Sequence, residues 1–149
     1  MHPFDIKSAL LAQHAQHVVL IHFPIALFLI GVLFDVSAQW TKNRAMAAAA
    51  YYNLLAAAIF AVPTLITGVL AWQWALSGHK LKGILLLHFV FACVSCVFIW
   101  LVAWLHVRAN RSPGATLPRY RLPIEILAAA LIALTAHLGG FLSGVNIPG

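Results

Sequence analysis

Acid is nearly missing from this sequence: Asp5, Asp35 and Glu125 are the three carboxylates among 149 residues. Charged residues of either sign make up 8%, against 63% hydrophobic, a balance outside that of a soluble domain. Cysteine is almost as scarce. Cys93 and Cys96 form a CxxC in the middle of an apolar run, where thiols act as small apolar groups and packing is their expected role. A nucleophile elbow and a phosphate-binding glycine loop are both lacking, so hydrolysis and phosphoryl transfer find no machinery here. Long polar segments are lacking as well, which leaves no room for a soluble domain.

What the chain does have is apolar length. Spanning a bilayer as a helix takes about 20 apolar residues, and four stretches supply them: 18–38, 47–74, 83–106 and 122–142. The expected fold is all-α, a single integral membrane four-helix bundle over residues 1–149. The first span follows a histidine-bearing lead-in rather than a basic start, so it reads as a retained helix and not a cleaved signal. Pro63 inside the second span predicts a kink that leaves the helix intact. Trp40, Trp72, Trp74, Trp100 and Trp104 fall toward span ends, as interfacial anchors do.

Orientation follows from the cations. Lys42, Arg44, Arg108, Arg111, Arg119 and Arg121 share one side, while Lys7, Lys80 and Lys82 share the other. The positive-inside rule then places both termini outside, giving a multi-pass protein of the bacterial cytoplasmic membrane, N-out and C-out. The net charge of +6 reads as this topology signal and an attraction for anionic lipid, and not as a nucleic-acid surface.

That topology gives the histidines a depth. His22, His88 and His137 lie five residues from His17, Gly83 and Leu142 at the outer span ends, about 7 Å deep at the helical rise. Three imidazoles at one depth on separate helices suit a b-type haem, which takes two axial histidines from facing helices and buries its ring among apolar side chains. One haem is expected, ligated by His22 with His88 or by His88 with His137. His79, Lys80 and Lys82 are candidates for its propionates, and Gly68, Gly139 and Gly140 would let a flat ring approach backbone. Another metal, or interhelical hydrogen-bond glue, accounts for the same residues. His14, His17 and His79 read as wet interfacial histidines. A second haem is disfavoured, because His106 stands 18 residues from His88, about 27 Å along one helix.

Toward the inner side, Asp35, Asn53, His106 and Glu125 sit at similar depths on the four spans, with Tyr52 close by. They are candidates for a proton-uptake or quinone-headgroup site. Alternatively, each carboxylate snorkels or pairs with Arg44, Arg108 or Arg121.

The stretches HFPIALFLIGVLFDV, TGVLAW and HLGGFLSGV carry a resemblance. They resemble a group of small four-helix bacterial membrane proteins known as a domain of unknown function, whose first helix opens with His-Phe-Pro and whose last carries His-Leu-Gly-Gly. The matched positions are His22, Phe23 and Pro24, then Thr67, Gly68 and His88, then His137, Leu138, Gly139 and Gly140. That group is loosely similar to four-helix b-type cytochromes. The resemblance implies a non-catalytic electron-transfer subunit of an oxidoreductase complex, relaying electrons between quinone and a redox partner such as a periplasmic cytochrome. A non-redox accessory subunit and an outer-face metal-binding protein are the alternatives.

Overall fold

A computed structural model describes residues 13–74, 77–78, 80–111 and 117–143, with the side chains of residues 13 and 14 left out of the description. His79, expected near the propionates, lies outside the described residues. Those described form four helices and no strand: α1 Gln13–Thr41, α2 Arg44–Trp74, α3 Gly83–Arg111 and α4 Arg121–Leu142. All four are long and apolar enough to cross a membrane. The protein is an all-α membrane bundle.

Local chemistry explains the turns. Between α1 and α2 stand only Lys42, in the left-handed region at φ 56°, and Asn43. The Asn43 side-chain oxygen accepts the N–H of Ala45 at 2.8 Å, an N-cap that satisfies a helix-start donor which lipid could not. α2 has 31 residues, about 46 Å of helix. The eight-residue connection 75–82 reaches at most about 28 Å, so α3 must return antiparallel beside it.

Both helices that carry an internal proline continue through it: Pro24 in α1 and Pro63 in α2. Pro24 cannot donate to the Leu20 carbonyl one turn back. Thr64 on α2 offers a shared donor there, its one hydroxyl proton lying between Phe60 O at 2.9 Å and Leu20 O at 3.3 Å. Beside this bridge Phe23 stacks on Phe60, with centroids 5.0 Å apart.

The helices pack as a ring in chain order, α1 on α2, α2 on α3, α3 on α4 and α4 back on α1. α1 and α3 therefore face each other across the diagonal. The α1/α2 contact is the most extensive because small residues let the backbones close: Ala50, Ala57, Ala58 and Ala61 of α2 are buried, and Gly31 of α1 lies against Leu54. Phe28, Leu54, Val102 and Ala128, all at 0% exposure, centre the core. At one end of this core the helices enclose a cavity, and at the other they close on a group of polar side chains.

Candidate functional site

The cavity lies where α1 and α3 begin and α2 and α4 end. It measures about 540 Å³, is partly open, and draws lining from all four helices. Ala61, Ile99 and Ile132, which also belong to the core, floor it. On α3 the cavity row runs Leu85, His88, Ala92, Ser95 and Ile99, and on α4 it runs Ile132, Thr135 and Gly139, each at the three- and four-residue steps of one helical face.

His17 of α1 and His88 of α3 come to this space from the diagonal helices. His88 Nδ1 is 3.0 Å from the Thr135 carbonyl oxygen on α4. A carbonyl only accepts, so this nitrogen carries the proton and the ring's lone pair sits on Nε2. His17 Nδ1 is 3.3 Å from Thr67 Oγ1 on α2. The single Thr67 hydroxyl proton is taken by backbone oxygens, Pro63 O at 2.9 Å or Thr64 O at 3.0 Å. With the hydroxyl proton on either backbone oxygen, Thr67 Oγ1 accepts from His17 Nδ1, the arrangement that puts the ring's lone pair on Nε2. Each ring edge rests on a glycine of a neighbouring helix. A Cβ on Gly68 would lie 3.0 Å from His17 Cε1, and one on Gly139 would lie 3.2 Å from His88 Cε1. Both rings are thus held at Nδ1 by a neighbouring helix, and a histidine that ligates a metal through Nε2 is commonly held at its other nitrogen in this way.

The other expected site residues divide. His22 borders the same cavity but is exposed, and its Nδ1 donates to Val18 O at 2.7 Å. His137 is exposed, lies edge-on to Phe141 with centroids 5.0 Å apart, and does not line the cavity. It stands five residues past Ile132, off the row that Thr135 and Gly139 continue. Lys80 and Lys82 are exposed in the connection at this same end. His17, read from sequence as a wet interfacial residue, is half-buried. The signal that could have singled it out is its row: His17, Ile21 and Ile25 repeat at four-residue steps, whereas His22 sits one step around the helix. Trp72, expected as an anchor, also lines the cavity and packs on Phe89 at 6.3 Å, and Cys96 contributes to the wall.

At the opposite end of the bundle, three of the four residues expected to form an inner polar site come together. His106 Nε2 and Glu125 Oε1 are 2.9 Å apart, and Arg121 Nε donates to Asp35 Oδ2 at 2.9 Å. Arg121 Nη2 reaches Gln39 Oε1 at 3.3 Å. The exposures are 2% for Asp35, 5% for His106, 8% for Arg121 and 0% for Glu125. Of the three arginines considered for the carboxylates, Arg121 is thus the partner. Arg44 is exposed, and Arg108 is also exposed with its guanidinium 5.4 Å from the Trp104 ring centroid. Asn53 stays apart, donating to Ala49 O of its own helix at 2.8 Å, and Tyr52 is exposed.

A family described as predicted membrane protein (DUF2231) matches residues 13–145, and the chain belongs to that family. No curated protein and no solved structure matches it.

Proposed function

We propose that this member of the DUF2231 family binds one b-type haem in the cavity between His17 and His88 and serves as an electron-transfer subunit of a larger membrane complex. The cavity would then face the outer side of a bacterial cytoplasmic membrane, with both chain ends outside, as the cation asymmetry between the connections suggests. Quinone on one side and a periplasmic redox protein on the other are the partners that the resemblance to four-helix b-type cytochromes suggests.

One observation carries the reading: imidazoles from diagonal helices line a single cavity of about 540 Å³, each held at Nδ1 by a neighbouring helix. That volume falls in the range of roughly 300–1,000 Å³ typical of small-molecule and cofactor sites. The lining fits the group, being apolar apart from a few hydroxyls and the histidines. Haem, when bound, supplies one-electron transfer at its iron. The chain's own part is positional. Thr67 and Thr135 fix the two rings, Gly68 and Gly139 keep side-chain bulk away from the ring edges, and Trp72 with Phe89 helps exclude water. His22 at the rim and Lys80 and Lys82 in the connection supply hydrogen-bonding and cationic groups for propionates. His137, off the lining, takes no ligand role in this reading.

A rival reading has its own support. The His17 bond joins α1 to α2 and the His88 bond joins α3 to α4, so these histidines already work as interhelical glue, as an accessory subunit without redox chemistry would use them. A reduced-minus-oxidised spectrum of the protein purified with its native partners, with pyridine haemochrome quantitation and metal analysis, separates the two. The haem reading expects a low-spin b-type signal at one haem per chain. A sample without haem or metal leaves the accessory subunit as the function, and a different bound metal makes the cavity a metal site.

A further inference from the structure

The polar group at the far end of the bundle has a feature that ion pairing leaves unexplained. Glu125 is fully buried, one of its carboxyl oxygens meets His106, and the other, Oε2, has no hydrogen-bond partner among the described residues. A buried carboxylate oxygen without a donor is costly, the more so in a helix that spans a bilayer. Something is expected to fill its valence.

Charge favours a proton over a divalent ion. Asp35, His106 and Glu125 present ligand atoms within 4.8 Å of one another, a spacing open to a cation. Arg121, however, already brings a fixed positive charge against Asp35. With His106 neutral, Asp35, Glu125 and Arg121 sum to −1. One proton brings the sum to 0, whereas a divalent ion brings it to +1 and restores the net buried charge that the bundle must avoid.

We infer that Glu125, His106, Asp35 and Arg121 form a single-proton store, in which Glu125 takes up one proton from water at the Arg121 end of the bundle and gives it back. In the step, hydronium passes a proton to Glu125 Oε2, the carboxylate becomes a carboxylic acid, and water leaves. No electron moves and no other reactant is consumed. With Glu125 a carboxylate, His106 Nε2–H donates to Oε1 at 2.9 Å, and the Asp35 carboxylate belongs to the same cluster. The charged or titratable groups acting on Glu125 are His106 from α3, Asp35 from α1 and Arg121 from its own helix, with none from α2 among the described residues.

The route in is short. Glu125 stands one turn from Arg121, the first residue of α4, about 6 Å along the helix. Arg121 bonds Gln39, whose side chain is exposed. The store lies at the opposite end of the bundle from the His17–His88 cavity and does not depend on what that cavity holds.

The sequence offers a site-specific probe, because Glu125 is the single glutamate in the chain. Full-length protein made with glutamate ¹³C-labelled at the side-chain carboxyl, placed in lipid nanodiscs and followed by infrared spectroscopy through a pH titration, reports Glu125 alone without any mutation. The expected result is reversible conversion of the labelled carboxylate band into a carboxylic-acid band that shifts in heavy water. Its pH profile should have the slope of one proton per chain while the helical circular dichroism is retained. A label that stays carboxylate, or stays acid, across the whole range in which the helices persist overturns the store and makes the group a fixed structural ion pair. A labelled band that responds to a chelator and not to pH overturns it in favour of a metal site.

Discussion

His88 is held at two points by residues one turn apart on α4: its Nδ1 donates to the Thr135 carbonyl at 3.0 Å, and its Cε1 edge rests where a Cβ on Gly139 would come within 3.2 Å. The backbone of a single helical turn therefore sets both the tautomer and the tilt of the ring. A ring held in this way meets the cavity in one orientation without an entropic cost at the moment a ligand binds.

The first prediction concerns ligation. If the cavity holds a bis-histidine haem, His88→Ala and His17→Ala should each abolish the low-spin signal, because one axial ligand cannot maintain that state. His137→Ala and His106→Ala should keep it, since neither residue lines the cavity. Difference spectra at matched protein concentration make the comparison. A full low-spin signal in H88A would end the assignment of that residue.

A second prediction tests the close approach of α1 and α2. A Cβ added at Gly31 would sit 2.8 Å from Leu54 Cγ and 3.3 Å from the Leu54 backbone nitrogen. Leu54 is itself fully buried, so it has nowhere to move. Gly31→Ala is expected to cost about 1–3 kcal/mol, the usual range for overpacking, seen as a lower midpoint of unfolding in mixed micelles. Gly83, with open space around its Cβ direction but φ at 56°, is a poor control, and an exposed alanine such as Ala48 serves better as a neutral site for substitution.

The third prediction concerns the Arg121–Asp35 pair, buried to 10% and 3% side-chain exposure. Arg121→Gln leaves the Asp35 charge buried without its partner and should destabilise by about 3–5 kcal/mol. Asp35→Asn in the same chain should recover a large part of that loss, because the uncompensated charge is then removed. A double-mutant cycle on unfolding free energies measures the coupling. Strictly additive losses would show that the two residues do not act as a pair.

Thr64 gives the fourth. Its hydroxyl bridges to the Leu20 carbonyl that Pro24 leaves without a donor. Thr64→Val preserves shape and removes the donor, so the expected loss is about 0.6 kcal/mol, the average for interhelical hydrogen bonds in membranes. Restoring a donor to Leu20 by Pro24→Ala in the same chain should make the Thr64→Val change nearly neutral, again read from unfolding midpoints.

Axial position was legible throughout. The apolar runs locate four helices, the short connections make successive helices antiparallel neighbours, and counting 1.5 Å per residue brings Asp35, His106 and Glu125 to one level. Counting also put His22, His88 and His137 at one depth, yet depth says nothing about the direction in which a side chain points. His137 stands one step around α4 from the cavity row, His22 reaches the cavity only at its rim and is exposed, and His17, closer to the helix start, is half-buried in the lining.

Azimuth was decided only by the tertiary structure, for a reason specific to membranes. In water the polar side of a helix marks its exposed face, whereas lipid tails are as apolar as the core and erase that mark. Leu33, Val97 and Ile126 are exposed to 63%, 66% and 61%, while Leu54 and Val102 are fully buried, and nothing in their chemistry distinguishes the two groups. What turns each helix is the fit of Gly31 on Leu54, the Thr64 bridge at Pro24, and the Arg121 and His106 bonds that join α4 to α1 and to α3. Those contacts bring residues from different helices together, so the sequence fixes how deep each histidine and carboxylate lies, and the packing of the ring fixes which of them meet.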